Sequence, residues 1–254
     1  MQALEDKLKY LRLSAIRASL DARNQYAMEH QLSYLEFFEM LVEDECANRK
    51  SNALRQRMLK SKLKTNKTLE SFDFAFQPEL DKKLIQELMG CRFIPEKRNI
   101  VFMGKPGVGK THLANAIGMQ ALMQGYNVLF AHTHTLLDKM QQGRLDGSHR
   151  RLLNQACSAD LLILDELGFR AMPPQCLDDF FELIRERYEN KPTIFTSNRN
   201  FEDWAHIFGD KVLAGAIIDR IVHHAYIIRI TGDSYRVKDF LQQPSVLEGL
   251  NHGV

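Results

Sequence analysis

The stretch Gly104-Lys-Pro-Gly-Val-Gly-Lys-Thr-His112 follows an apolar run, Asn99 to Met103, and precedes a helix-like run, Leu113 to Leu122. Its spacing is G-x-x-x-x-G-K-[ST], the pattern that cradles nucleoside triphosphate phosphates. A strand that turns through glycines into a helix presents backbone N–H groups and the positive end of the helix dipole to phosphate oxygens. Gly104, Gly107 and Gly109 permit the close approach this needs. Lys105, Pro106 and Val108 complete the loop, and His112 closes the binding stretch. Lys110 is expected to reach the β- and γ-phosphates, and the Thr111 hydroxyl to coordinate Mg2+.

A second half of such a site is Leu161-Leu-Ile-Leu-Asp-Glu166. An apolar strand ending in acids puts Asp165 at the carboxyl edge of a sheet, where it can hold the magnesium shell. Glu166 beside it can polarise an attacking water, which favours hydrolysis over transfer to a small acceptor. Thr193-Ile-Phe-Thr-Ser-Asn198 is a further strand ending in a polar side chain, and Asn198 can bond the γ-phosphate or the water. Asn190-Lys191 is followed by Pro-Thr, so the guanine-selecting N-K-x-D pattern is missing there and ATP is favoured.

These residues need a parallel sheet to bring them to one edge, and the chain supplies the pattern for one. Strands are expected at Ile100–Met103, Asn127–His132, Leu161–Leu164, Thr193–Thr196 and Tyr226–Ile230, and helices at His112–Gln124, Pro174–Tyr188 and Lys211–His223. Ahead of them lies an all-helical unit. Leu4, Leu8, Leu11, Ala15 and Ala18 recur at three- and four-residue steps, the stripe of one amphipathic helix. Ser33-Tyr-Leu-Glu36 reads as a capping box opening a second, with Phe37, Phe38, Leu41 and Val42 as its apolar stripe. The expected division is 1–67 for a helical accessory domain, 68–241 for the α/β nucleotide-binding domain and 242–254 for a poorly structured tail. Thr68 to Phe76 is the connector.

At 254 residues and 44% apolar content the chain can bury a true core. Cys46, Cys91, Cys157 and Cys176 form no C-x-x-C pair, which disfavours a disulfide framework or zinc ribbon and fits a reducing cytoplasm. The N-terminus lacks an apolar targeting core, and no later segment approaches a membrane span, so a soluble, untargeted protein is expected. His132 and His134 share a face if their strand continues, but a third metal ligand is missing. Trp204 and Phe208, at helical spacing, read as core.

With these motifs in this order the chain resembles the AAA+ ATPases, and within them the IstB family, the ATP-dependent helpers of insertion-sequence transposases and relatives of the DnaC and DnaI helicase loaders. The resemblance runs from Met1 to about Phe240. It is carried by SFDF (71–74), RFIPEKRNIVFMGKPGVGKTHLA (92–114), DGSHRRLL (146–153), DLLILDELGF (160–169), TIFTSNRNFEDW (193–204), IIDRIVHHA (217–225) and GDSYRVKDF (232–240). It implies an AAA+ P-loop fold in which Lys110 and Thr111 belong to Walker A, Asp165 and Glu166 to Walker B, and Asn198 is sensor 1. It implies further that Arg220 is an arginine finger acting in a neighbouring subunit's ATP site, and that Arg236 is a sensor-2-like phosphate contact.

The resemblance also implies ATP-driven homo-oligomers on duplex DNA and a transposase partner. The net charge of +2 carries no such case, but the distribution does. Arg49 to Lys67 holds eight cations and no acid, among them Arg55, Arg57, Lys60, Lys62 and Lys64, the first candidate DNA contacts. Arg144, Arg150 and Arg151, with His149, form a second set. Phosphate contacts of this kind give affinity and salt dependence without reading sequence. Two rivals stand beside the transposition ATPase. One is a replicative helicase loader. The other, a small-molecule P-loop kinase, is disfavoured by the tandem Asp165-Glu166.

Overall fold

The computed structural model describes residues 2–237, so the expected tail lies outside the described residues. The chain divides into two compact units, Met1–Leu59 and a second beginning at Lys60.

The first unit holds α1 (Gln2–Tyr10), α2 (Ser14–Glu29) and most of α3 (Tyr34–Ser61). The single first helix expected from the leucine spacing is in fact two. Arg12 adopts a positive φ of 57°, which interrupts the helix, and the buried residues are Leu8 and Ile16 rather than the whole Leu4-to-Ala18 stripe. The Ser33 capping box forms: the Ser33 amide donates to Glu36 Oε2 at 2.7 Å, and the Glu36 amide to Ser33 Oγ at 3.3 Å. Its apolar stripe is narrower than expected. Leu41 and Phe37 pack with Leu8 and Ile16, whereas Phe38 and Val42 are exposed. Buried Glu45 accepts the Ala15 amide at 2.9 Å, satisfying an orphan donor at the start of α2.

The second unit continues with α4 (Lys82–Met89), β1 (Ile100–Gly104), α5 (Lys110–Met123), β2 (Val128–His132), α6 (Thr133–Asp146), α7 (His149–Ser158), β3 (Leu161–Leu167), α8 (Pro174–Arg187), β4 (Thr193–Ser197), α9 (Phe201–Phe208), α10 (Lys211–Val222) and β5 (Tyr226–Ile230). The strands pair in the order β2-β3-β4-β1-β5, all parallel. β1 and β4 are buried throughout except at Gly104, as expected of strands covered on both faces. α5 is buried along most of its length, including Leu113, Ile117 and Leu122. No described helix is long and apolar enough to cross a membrane, and the four cysteines are free.

β2 stops at His132, as expected, and α6 starts at the next residue, so His132 and His134 do not share a strand face. One difference from the expected strands shapes the site. β3 runs on to Leu167, and its register with β4 slips: Leu164 pairs with Phe195, but Leu167 pairs with Ser197. Asp165 and Glu166 therefore sit in a bulge, which re-aims side chains at a strand's end.

In the first unit the Arg23 guanidinium bonds both carboxylate oxygens of Asp44, at 2.7 and 2.9 Å, and holds its pKa down to about 2. A carboxyl depressed in the folded state adds stability that is complete above its ordinary range and is lost as pH falls through about 2. Arg23→Gln is therefore expected to move the acid transition of Met1–Leu59 to higher pH, measured by amide exchange within that segment.

Candidate nucleotide site

β1 feeds its chain directly into the glycine loop. Gly104 has φ 152°, and a Cβ there would stand 2.2 Å from the Ile230 carbonyl oxygen on neighbouring β5. Gly109, with φ 101°, faces the Phe72 ring, which a Cβ would meet at 2.5 Å. Both positions exclude side chains, and α5 opens behind them with its N–H groups toward the loop's hollow. Lys110 is buried, and its Nζ donates to the carbonyls of Gly104 at 2.7 Å and Lys105 at 2.8 Å. Burial pushes its pKa down to about 8, against the opposing pull of Asp165.

Asp165 is 1% exposed. Its Oδ1 accepts from Thr111 Oγ1 at 2.7 Å and from Thr196 Oγ1 at 2.5 Å, and its backbone carbonyl accepts from Thr133 Oγ1 at 2.9 Å. Glu166 takes a positive φ of 60°, its amide donates to the same Thr196 hydroxyl at 3.0 Å, and its carboxylate is exposed to the cavity. The bulge thus separates two adjacent acids, one sealed in and one presented. Thr111 and Asp165 offer hard oxygen donors side by side, the set magnesium prefers. His132 Nδ1 lies 3.4 Å from Asp165 and 3.6 Å from Glu166, so these three could also approach one cation.

The end of β4 is locked from below. Ser197 Oγ donates to the Leu167 carbonyl at 2.7 Å and accepts from buried Trp204 Nε1 at 3.0 Å. This bond makes Trp204 a core residue with its N–H satisfied. The next residue, Asn198, lines the cavity, and its Oδ1 is buried with no hydrogen-bond partner among the described residues. A buried acceptor left unpaired is costly, so this oxygen calls for a donor arriving from the cavity.

The cavity has a volume of about 320 Å³. Lys110, Thr111, Glu166 and Asn198 line it, and Phe72, Phe76 and Tyr235 add aromatic wall. The segment after β5 closes over the loop: the Tyr235 amide donates to the Gly107 carbonyl at 3.0 Å, which carries Arg236 into the cavity lining. The residues present therefore fit a nucleoside triphosphate. His112 lines the cavity too, but its Nε2 lies 2.7 Å from the Thr68 carbonyl and 3.2 Å from Ser71 Oγ, so its ring tethers the connector.

The match to known proteins agrees with this geometry. Residues 6–243 match the family described as IstB-like ATP binding protein. The chain belongs to the IstB-like ATP-binding family. Among its relatives, the protein named for ATP binding in insertion sequence IS5376 of Geobacillus stearothermophilus is 38% identical over 90% of this chain and 91% of its own length. The corresponding IS21 protein of Pseudomonas aeruginosa is 38% identical over 94% and 90%. Among solved structures, DnaI superposes with a TM-score of 0.56 at 28% identity, over 65% of this chain and 90% of that one. DnaA of Aquifex aeolicus, at 23% identity, shares the fold with a TM-score of 0.58 over 76% of this chain and 58% of that one. This IstB-like protein thus has the AAA+ P-loop fold and binds ATP.

Arg220 is placed differently from the other site residues. Asn99, just before β1, donates to the backbone carbonyls of Arg220 at 3.4 Å and Ile221 at 3.0 Å. The five residues of β1, roughly 16 Å of strand, separate this point from the glycine loop. The guanidinium lies against the rings of Phe181 and Tyr188, 5.5 and 5.8 Å from their centroids.

The basic residues divide as well. Arg55, Lys60, Lys62, Lys64, Arg150 and Arg151 are exposed, and Arg57 is half-buried. Arg144 and His149 both contact Asp179, a carboxylate only 1% exposed, which ties α6 and α7 to α8.

Sequence reasoning missed Thr196, Thr133 and Lys67 as parts of the site. Thr196 lies within the strand that was read for its last residue, and only the β3–β4 register reveals that its hydroxyl serves both acids. Thr196→Val removes both bonds at once. It is expected to lower stability by about 1–3 kcal/mol, whereas Thr196→Ser keeps the hydroxyl and most of the stability; thermal unfolding of the two variants checks this.

Proposed function

We propose that this IstB-like protein hydrolyses ATP as an oligomer on duplex DNA and in that state assists the transposase of its insertion sequence. The observation that carries the reading is the division of catalytic parts between two sheet edges. Lys110, Asp165, Glu166 and Asn198 gather at the carboxyl edge of one chain, and Arg220 stands at the opposite edge, outside the cavity lining.

In this mechanism the loop amides and Lys110 bind the β- and γ-phosphates. Thr111 and Asp165 would hold magnesium, which when bound offsets phosphate charge. Asn198 Oδ1 accepts a hydrogen bond from a water and orients it toward the γ-phosphorus. Glu166 takes a proton from that water as its oxygen bonds to phosphorus and the bond to the β-phosphate oxygen breaks, releasing ADP and phosphate. Arg220 of one subunit completes a neighbour's site, where a guanidinium stabilises the charge that develops on the phosphoryl oxygens. Arg236 binds the phosphates from the same chain.

The exposed cations at the end of α3 and just beyond it, Lys62 and Lys64 included, and those of α7 supply phosphate contacts to duplex DNA, and the names of the insertion-sequence relatives support a transposase as partner. The likeness to DnaI favours a second reading, a helicase loader. Near-full-length similarity to insertion-sequence proteins weighs for the first.

ATP hydrolysis is measured with and without duplex DNA across a range of protein concentrations. The rate per subunit is expected to rise with both, Lys110→Ala to lose nucleotide binding, and Arg220→Ala to bind ATP but hydrolyse it about a thousandfold more slowly. Hydrolysis indifferent to DNA and concentration, with Arg220→Ala normal, would point to a monomeric nucleotide enzyme. Tight binding to a hexameric replicative helicase would favour the loader.

A further inference from the structure

Lys67 ends the run of cations that the sequence offers as a DNA-binding stretch, yet its side chain lines the nucleotide cavity with Lys110, Thr111, Glu166, Asn198 and Arg236. The connector is longer than expected, starting at Lys62 behind α3 and carrying Lys67, and it is clamped to α5 on both sides. Upstream, Leu63 lies over Gly118, where a Cβ would come within 3.2 Å of both its methyl carbons. The Lys64 amide donates to Asn115 Oδ1 at 3.0 Å, and fully buried Asn115 is itself held by a bond to the Thr111 carbonyl at 2.7 Å. Downstream, His112 bonds the Thr68 carbonyl, and Phe72 packs edge-on against the His112 ring and covers Gly109.

Only Thr65, Asn66 and Lys67 span these two clamps, and the Lys67 amide closes a turn onto the Lys64 carbonyl at 3.3 Å. The reach of the Lys67 side chain is therefore set by the helix that also presents Lys110 and Thr111.

The electrostatics of the two lysines match. Lys67 and Lys110 are each drawn below their ordinary pKa first by burial; Lys64 lowers Lys67 next, and at both lysines Asp165 opposes the shift while Arg236 adds to it. Both line the same cavity. Lys67 forms no ion pair among those described. Three cations, Lys67, Lys110 and Arg236, converge beside the two carboxylates Asp165 and Glu166. Asp165 is already bonded to the hydroxyls of Thr111 and Thr196, and Asp73 of the same lining to the amides of Ala75 and Phe76, so a further anion would offset the three cations more fully. A nucleotide's terminal phosphates supply that charge.

We infer that Lys67 is a second phosphate-binding lysine, delivered by the connector to the β- and γ-phosphates of ATP. It rests on the nucleotide reading of the same cavity and deepens it. The connector is then part of the ATP site rather than a passive tether, and nucleotide binding bears on the segment that leads directly out of α3.

The test uses the full chain and compares equilibrium binding of ATP and AMP, with magnesium, by wild type, Lys67→Met and Lys67→Arg. Methionine keeps the apolar stem and removes the charge; arginine restores a cation. A lost charge-assisted contact corresponds to roughly tenfold to a hundredfold weaker ATP binding by Lys67→Met. AMP binding and the melting temperature without nucleotide are expected to stay near wild type, and Lys67→Arg to recover most of the ATP affinity. ATP binding by Lys67→Met equal to wild type would overturn the inference. So would an equal loss for ATP and AMP, which would mean the substitution acts on the fold or the base end. Wild type failing to bind ATP would overturn the nucleotide reading itself, and this one with it.

Discussion

The placement of one carboxylate organises the nucleotide site. Asp165 is almost wholly removed from water, and an acidic group there must find partners for its oxygens. It finds them in the hydroxyls of Thr111 and Thr196. The first of these belongs to the helix that follows the glycine loop, the second to β4, and Asp165 to β3, so a single oxygen joins three elements of the sheet's carboxyl edge. Thr196 also receives the Glu166 amide, and this second bond holds the bulge that turns Glu166 toward the cavity. The sealed acid and the presented acid are adjacent in sequence but opposite in environment, and that difference suits one to holding a cation and the other to handling a proton.

In the proposed mechanism the opposite edge of the sheet carries the complementary part. Arg220 lies near the start of β1, while the phosphate loop lies at its end. Within one chain these positions do not meet. In the proposed mechanism they meet between chains, and a rate that depends on a neighbour's arginine makes hydrolysis report assembly. The connector adds a link in the other direction: α5 holds Lys64 and Thr68 by side-chain bonds and presents Lys67 between them.

Much of this was legible in the sequence because buried parallel strands are short apolar runs and each was bounded by turn residues or acids. All five strands and the helices after β1, β3 and before β5 follow that pattern. α4 escaped notice and α9 showed only as the helical spacing of Trp204 and Phe208, because each buries only two residues, although Asp81 and the Asn200/Asp203 pair are recognisable caps. α6 carried a readable stripe, Leu136, Leu137 and Met140, but no side-chain cap marks its start directly after β2. The α1–α2 break rests on the conformation of Arg12, a residue with no local turn signature. The bulge at Asp165 depends on the pairing register between distant strands, which no local pattern encodes. Lys67 was indistinguishable from its cationic neighbours until the clamps on either side set it apart, and Arg144 looked like a free cation until Asp179 appeared beneath it.

The central claim, that a complete hydrolytic site is made from two chains, is tested most directly by mixing two variants. Glu166→Gln keeps Arg220 but lacks the group that takes the water's proton; Arg220→Ala keeps Glu166 but lacks the arginine to donate. Each alone is predicted to be nearly inactive with ATP and duplex DNA. In a mixture, Arg220 from a Glu166→Gln chain completes the site of an Arg220→Ala neighbour, and hydrolysis is predicted to return. A mixture that co-assembles yet stays as inactive as its components would contradict the account.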